Sequence, residues 1–405
     1  MVNKLKITHV PRLYNTPPQK NYSTMKIIFL EAVQDYGGAR ISTVELAQRL
    51  VSDHMVYMVD LYGSCKPFID VCATKDFKLK IIDKRENPFI IRSTANRLTM
   101  LLNLIKFIPH LFHINKKLNK LINEIDADYV IVNSSKVLSF LIRKRFRAQV
   151  VFFARGWFGM KQISKIDKHL YRKLVDKYVC VSEATRQALY CGGMASLENL
   201  YVVKNAIDEN ELREDIADIP DAEDCFKILH SGGFLPAKGQ HISIEIAKRL
   251  KEEGFKFKLI ITGIIYKGHV SRKYYKQIEQ LIKTYGLEKH VQLVVDRSNV
   301  IDYFRACDVL IHPSDTEGLP RTVMEAMILR KPVIANAVGG VTDYILNGYT
   351  GYIPRYNCVE DYVSFIRRLA TDSSLYNYIA SNAYSLVKNT FTIQAQNESM
   401  NRVLL

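Results

Sequence analysis

Residues 308–352, DVLIHPSDTEGLPRTVMEAMILRKPVIANAVGGVTDYILNGYTGY, decide how the rest of the chain is read. The short apolar run ending at His312 has the length and composition of a buried strand. A turn over 313–318 follows, then a helical pattern over 320–329, a second strand over 332–336 and the pair Gly339-Gly340. Proline is favoured in the first helical turn, where its missing N–H costs nothing, so Pro320 is expected at N1. The N–H groups of Arg321, Thr322 and Val323 would then point out of the helix start with the positive end of the dipole behind them, a place for an anion. Glu317 and Glu325, eight positions apart, bracket this start. A carboxylate repels phosphate, so Glu317 is expected to face hydroxyls, while Glu325 could take a ribose diol. By spacing alone, a helix-capping glutamate and a surface glutamate explain the pair equally well.

Working outward, the same strand–turn–helix alternation recurs. Upstream lie the run 226–231, the turn GGFLPAKG over 232–239, a helix over 241–250, and strands over 258–262 and 290–295. These and the opening stretch make an α/β unit over 225–385, with a helical tail over 386–405. A second unit is expected over 25–204, after a polar extension over 1–24. It begins with MKIIFLEAV at Met25 and a turn holding Gly37 and Gly38. A Ser42-to-Glu45 capping-box spacing then opens a helix. Further strands are expected over 54–60, 129–133, 149–154, 177–182 and 200–204. The segment 205–224 is acidic and irregular and reads as a linker. Two doubly wound units joined this way imply a deep cleft, with ligands at the carboxyl ends of the strands.

Composition excludes several classes. The chain has 405 residues, 48% of them hydrophobic, 24% charged and only 12 proline. No run approaches the ~20 apolar residues of a membrane span, and no signal peptide is visible, so a cytoplasmic setting is expected. Seven scattered cysteines without a C-x-x-C pair fit a reducing compartment rather than a disulfide scaffold or a structural zinc site. The net charge of +16 sits wholly in residues 1–200, with 32 basic and 16 acidic side chains, against 25 and 25 in the remainder. Such asymmetry points to an anionic partner for the first half. Residues 91–120 mix apolar side chains with Arg92, Arg97, Lys106, Lys116, Lys117 and Lys120, and Pro109 is expected to break them. A basic amphipathic segment of this kind suits an anionic membrane surface; a core helix with a solvated basic face is the plainer reading. No nucleic-acid signature accompanies the charge.

HPSDTEGLPRTVMEAMILRKPVIANAVGG resembles the signature of the retaining glycosyltransferases of the GT-B fold, family 4 type. VCVSEATRQAL, YVVKNAID, GGFLPAKG and NGYTG resemble further segments of that family, in the right order. The resemblance covers roughly residues 25–385 and is strongest in the second unit. It implies an α/β GT-B architecture, two Rossmann-like domains facing a cleft. The first would take a glycan or lipid-linked acceptor and the second a nucleotide-diphosphate sugar. The implied setting is surface polysaccharide assembly, O-antigen, capsule or exopolysaccharide, at the inner face of the cell membrane. It further implies that Glu317 meets the donor sugar, Glu325 the ribose and Lys238 the diphosphate. The backbone of Gly318, Leu319, Arg321 and Thr322 would cradle the sugar and distal phosphate, and Gly37, Gly38 and Gly233 would let the chain approach closely. A sugar-nucleotide epimerase or hydrolase, or a non-catalytic binding subunit, would be built on the same fold.

Three departures stand out. Phe234 replaces the arginine of the family's phosphate loop, Ala206 replaces a hinge glycine, and Arg155 stands where a histidine is usual. Arg155 is therefore a candidate catalytic cation, or else a structural arginine. Trp157, the only tryptophan, is a candidate stacking platform or a core residue. Asp126-Ala127-Asp128 spells a D-x-D metal motif, yet its place between a helix and a strand reads as a solvated turn. No metal or other cofactor is expected beyond the donor itself. A cation and a helix dipole would then stabilise the leaving diphosphate.

Overall fold

The computed structural model describes residues 24–85, 97–142, 144–157, 163, 165–212, 225–295 and 300–405. Most of the expected extension, residues 91–96 of the basic segment and the linker beyond Leu212 lie outside the described residues.

Two all-parallel sheets form. The first holds β1 (Lys26–Glu31), β2 (Met55–Asp60), β3 (Lys78–Ile81), β4 (Tyr129–Val132), β5 (Gln149–Ala154), β6 (Lys177–Cys180) and β7 (Leu200–Val202), in the order β3-β2-β1-β4-β5-β6-β7. The second holds β8 (Phe226–Ser231), β9 (Phe257–Gly263), β10 (Val291–Val295), β11 (Val309–His312) and β12 (Val333–Ala335), in the order β10-β9-β8-β11-β12. Their central strands are near-continuous runs of Val, Ile, Leu and Phe because helices cover both faces. In each sheet the winding reverses beside the first strand, between β1 and β4 (Ile27 opposite Tyr129) and between β8 and β11 (Val309 opposite Ile228). Crevices open at such reversals.

One apolar cluster runs from Ile27, Phe29 and Met58 through Val203 and Ile207 to Val323, Met324 and Phe391, joining the two halves. A second covers the other face of the first sheet and a third that of the second sheet. The last helix, Ile393–Val403, returns to the first sheet. There the Tyr129 hydroxyl donates to the Leu404 carbonyl at 2.8 Å and Lys177 to that of Val403 at 2.6 Å.

Several local expectations change. The first helix starts at Gly38, with Gly37 as an extended N-cap. Ser42 is thus interior and its hydroxyl donates to the Gly38 carbonyl, so the Ser42–Glu45 capping box does not form. Pro320 is the N-cap of the helix Arg321–Ile328 rather than N1. The helix Arg97–Ile125 runs through Pro109 instead of breaking there. Proline removes one hydrogen bond and crowds the preceding turn. Here Phe107 on one side, and Ile114, Leu118 and Ile122 on the other, are buried against the first sheet. Burial of these side chains on either side of Pro109 outweighs one lost bond. The helix Lys66–Ala73 and the edge strand β3 were not expected; β3 reads KLKI, with no apolar run to mark it.

Candidate active site

The second sheet supplies the densest constellation. β8 ends in His230 and Ser231, and the glycines after it lead to a short turn, Pro236–Lys238. Gly239 closes that turn at φ +75°, and a Cβ there would overlap the Pro313 carbonyl. Only glycine fits both constraints. The turn is fastened to the loop after β11, because the Asp315 N–H donates to the Ala237 carbonyl at 2.9 Å. Lys238 and Glu317 are thereby brought together. Lys238 Nζ lies 2.6 Å from Glu317 Oε1, and His312 Nε2 is 2.9 Å from the same oxygen. Burial pushes the Glu317 carboxyl up, but the Lys238 ammonium and His312 outweigh it and hold it well below the usual carboxylate range. Glu317 therefore stays ionised, and among the described residues its second oxygen accepts no side-chain hydrogen bond.

Beneath this pair lies His230, fully buried, with Nδ1 2.7 Å from Ser243 Oγ. Burial, reinforced by the neighbouring His312 and Lys238, lowers its pKa to about 3, so it is neutral. Neither His230 nor His312 was singled out in the sequence. Their signal is legible afterwards: His312 ends an apolar strand and His230 stands one residue from the end of another, beside the point where the winding reverses.

The helix start beyond Glu317 is wedged between the two halves. A Cβ on Gly318 would overlap the Arg155 carbonyl, and one on Gly339, at φ +50°, the Glu317 carbonyl. The Gly340 N–H donates to the Gly318 carbonyl at 2.9 Å. Asn205 donates to the Leu319 carbonyl at 3.0 Å. Thr322 is half-buried at the same start. Arg321 does not face an empty crevice: its guanidinium bonds Glu45 of the first half, and its Nε lies 3.5 Å from Glu325 Oε1. Burial raises the pKa of Glu325, Arg321 lowers it and Glu45 raises it, with a net rise.

The first sheet contributes a second charged group, also missed. Glu31 ends β1 and is fully buried; Asn133 Nδ2 donates to its Oε1, and Arg40 Nε lies 3.2 Å from its Oε2. A carboxylate inside the apolar run MKIIFLEAV was the available signal. Arg155 belongs to this group rather than to Glu317. It donates to Asn133 at 3.1 Å and to Asn205 at 3.3 Å, and stacks over Phe153 at 4.0 Å. Burial lowers its pKa to about 9, and the charges acting on it are those of Glu31, Arg40, Glu45 and Arg321. It remains a cation at neutral pH. Trp157 is half-buried, and its carbonyl accepts from Thr316 at 3.4 Å.

Gly37 and Gly38 open the first helix at the cleft. Beside them a cavity of about 350 Å³ is lined by Asp35, Arg40, Tyr62, Phe107, Lys136 and Phe140, among others. Ala206 is buried and outside the left-handed region, so this hinge needs no glycine. Asp126 caps a turn at φ +56° and pairs with Lys26, while Asp128 accepts from the Lys26 N–H at 2.7 Å. Among the described residues no group of three or more His, Cys, Asp or Glu is placed to hold a metal ion.

The chain resembles known proteins over most of its length. Residues 36–211 match the model "Glycosyltransferase Family 4" and residues 212–386 the model "Glycosyl transferases group 1". The capsular polysaccharide biosynthesis glycosyltransferase CapM of Staphylococcus aureus is 27% identical over 203 residues, 50% of this chain and 51% of that protein. The UDP-Gal:alpha-D-GlcNAc-diphosphoundecaprenol alpha-1,3-galactosyltransferase of Escherichia coli is 23% identical over 220 residues, 54% of each chain. The chain thus spans about half the length of these curated relatives. The crystal structure of Anabaena HepE in complex with UDP-glucose superposes with a TM-score of 0.77 at 21% identity, over 94% of this chain and 99% of that one. With its two facing parallel sheets and these matches, the chain belongs to the group 1, family 4-type glycosyltransferases and has the GT-B fold.

Proposed function

We propose that the protein moves a sugar from a nucleotide-diphosphate sugar to a glycan or lipid-linked acceptor, with retention at the anomeric carbon, during surface polysaccharide synthesis. The observation that carries this reading is the Lys238–Glu317–His312 group, its carboxylate and imidazole buried, at the reversal point of the second sheet. A carboxylate held ionised beside a lysine suits a sugar that becomes positively charged as its diphosphate leaves. Lys238 would take the diphosphate, Glu317 the sugar hydroxyls near the reacting carbon, and Glu325 the ribose. The backbone of Gly318–Thr322 would cradle the distal phosphate. Arg155 enters as a positioning residue: its carbonyl abuts Gly318 and its guanidinium ties Asn133 to Asn205.

The acceptor would enter by the cavity beside Gly37 and Gly38. Its aromatic wall and cations, Arg40 and Lys136, suit an amphipathic molecule. The names of CapM and the Escherichia coli galactosyltransferase support a polysaccharide role and a lipid-linked acceptor. No described helix is long and apolar enough to cross a membrane. Peripheral contact with an anionic membrane is supported by Ile105, Ile108 and Phe112, exposed at helical spacing, with Lys116 and Lys120 exposed beyond them.

Thermal-shift titration with UDP-, GDP- and ADP-sugars tests the reading. One nucleotide class should stabilise the protein at millimolar concentration; if none does, the proposed donor site is wrong.

A further inference from the structure

Phe234 cannot stand in for the missing phosphate cation. Its ring is fully buried and packs edge-on against Tyr275, 4.9 Å between centroids. The space that a side chain at Gly233 would need is taken by Tyr266, from the loop between β9 and the helix His269–Thr284. A Cβ added at Gly233 would fall 2.6 Å from the Tyr266 hydroxyl, and one added at Gly37 would fall 3.5 Å from the same oxygen. The hydroxyl therefore sits between a glycine turn of each half, and a side chain at Gly233 would displace it. On the other side of that turn, a Cβ at Gly232 would be 3.8 Å from the Lys238 stem. Tyr266 and Lys238 thus flank one glycine pair.

The position is built by the fold. The Tyr266 N–H donates to Ser271 Oγ at 3.0 Å, and the Ser271 hydroxyl donates to the Phe234 carbonyl at 2.7 Å. The Phe234 N–H in turn donates to the Ile264 carbonyl at 3.0 Å. Across the cleft, the neighbouring Lys267 N–H reaches Asp35 Oδ1 at 3.5 Å. The half-buried Tyr266 hydroxyl makes no hydrogen bond among the described residues. Its pKa is raised, by burial first, with Lys238 pulling it down and Asp35 and Glu317 pushing it up, so it keeps its proton at neutral pH. A polar tip aimed into a polar cleft without a protein partner is a donor waiting for a ligand acceptor.

We propose that Tyr266 binds the distal phosphate of the donor, its hydroxyl donating to a non-bridging oxygen beside Lys238, in the place a cation would otherwise fill. This rests on the donor-site reading above. A neutral donor stabilises the diphosphate in the ground state without adding a full positive charge, and the ring closes the mouth between the two glycine turns.

Calorimetric binding of UDP and UMP, with the GDP and ADP pairs in parallel, to the full chain and to Tyr266→Phe tests it. The variant keeps the ring and loses one oxygen, so folding should be unaffected. Binding of the preferred diphosphate should weaken about tenfold, a hydrogen bond to a charged group. The matching monophosphate, which lacks the distal phosphate, should bind both proteins alike. Equal diphosphate affinity in the two proteins overturns the role of Tyr266 and leaves the donor site standing, as does an equal loss for both nucleotides, which would place the hydroxyl on the nucleoside end. If the unaltered protein binds no nucleoside diphosphate, the donor reading fails and this assignment fails with it.

Discussion

Arg321 and Glu45 form an ion pair across the cleft, between the start of the helix Arg321–Ile328 and the first helix of the other half. The same guanidinium reaches Glu325, and Arg49 stands 3.9 Å from Glu45. One arginine therefore separates two carboxylates that would otherwise repel.

Arg321→Met should destabilise the protein by about 1–2 kcal/mol, the range for a half-buried pair losing one partner. Glu45→Gln in the same protein should recover part of that loss, because the repulsion goes with it. Urea denaturation of both single variants and the double variant gives the coupling. Additive losses would mean that Arg321 and Glu45 act independently.

Glu325 offers a test by pH. Its pKa is raised in the folded state, by burial first. Its ionisation therefore lowers stability as the pH rises from the unfolded value, about 4.3, through the folded one. Below the unfolded value the penalty is absent. Glu325→Gln should raise the melting temperature at pH 8 more than at pH 4, while nucleoside diphosphate affinity falls. A melting temperature that drops equally at both pH values would contradict the burial argument.

Glu317 behaves in the opposite sense. Its folded pKa is depressed, so the stability from the Lys238–Glu317 pair is present above the unfolded value, about 4.3, and is lost as the pH falls through the folded one. The stability difference between the unaltered protein and Glu317→Gln should be flat from pH 6 to 8 and shrink only under acid. Turnover of Glu317→Gln should fall roughly 10²–10³-fold, the range for losing one preorganised electrostatic group, with nucleotide binding largely kept. Rapid-quench kinetics beside a binding isotherm separates the two effects.

Gly339 should not tolerate a methyl group. It combines φ +50° with the Glu317 carbonyl directly in the path of a Cβ. Gly339→Ala should cost about 2–4 kcal/mol, strain and overpacking together, and should weaken donor binding beyond the loss of fold. Gly38→Ala, where a Cβ meets nothing within 4 Å, is the control and should melt near the unaltered protein.

Ile108→Asp combined with Phe112→Asp should reduce sedimentation with acidic-lipid vesicles about tenfold or more, since both side chains are exposed on one helix face. Transfer to a short water-soluble acceptor should be unchanged. Unaltered vesicle binding would remove the membrane from the picture.

The two parallel sheets were legible because doubly buried strands leave unbroken apolar runs, as at Ile27–Leu30 and Val309–Ile311. Glu317 and Glu325 were picked out by the spacing of one stretch and Lys238 by the family likeness of the turn over 232–239, and the fold sets Lys238 against Glu317. What escaped was whatever depends on distant chain segments meeting. The Arg321–Glu45 pair links residues 276 positions apart. The packing of Phe234 in the core, and the arrival of Tyr266 against Gly233, involve Tyr275 and Ser271, which no local pattern connects to the glycine turn. Arg155 was ambiguous for the same reason: its partners, Asn133 and Asn205, come from two other strand ends.

The helix Ile393–Val403 lies against the sheet that the chain builds first. During synthesis the ribosome delivers the first seven strands well before the residues that cover β7 and Tyr129. The earlier half must wait, with an apolar face open to water, until the later half has been made and has passed its final helix back. Folding of the two halves is thus coupled in time as well as in space.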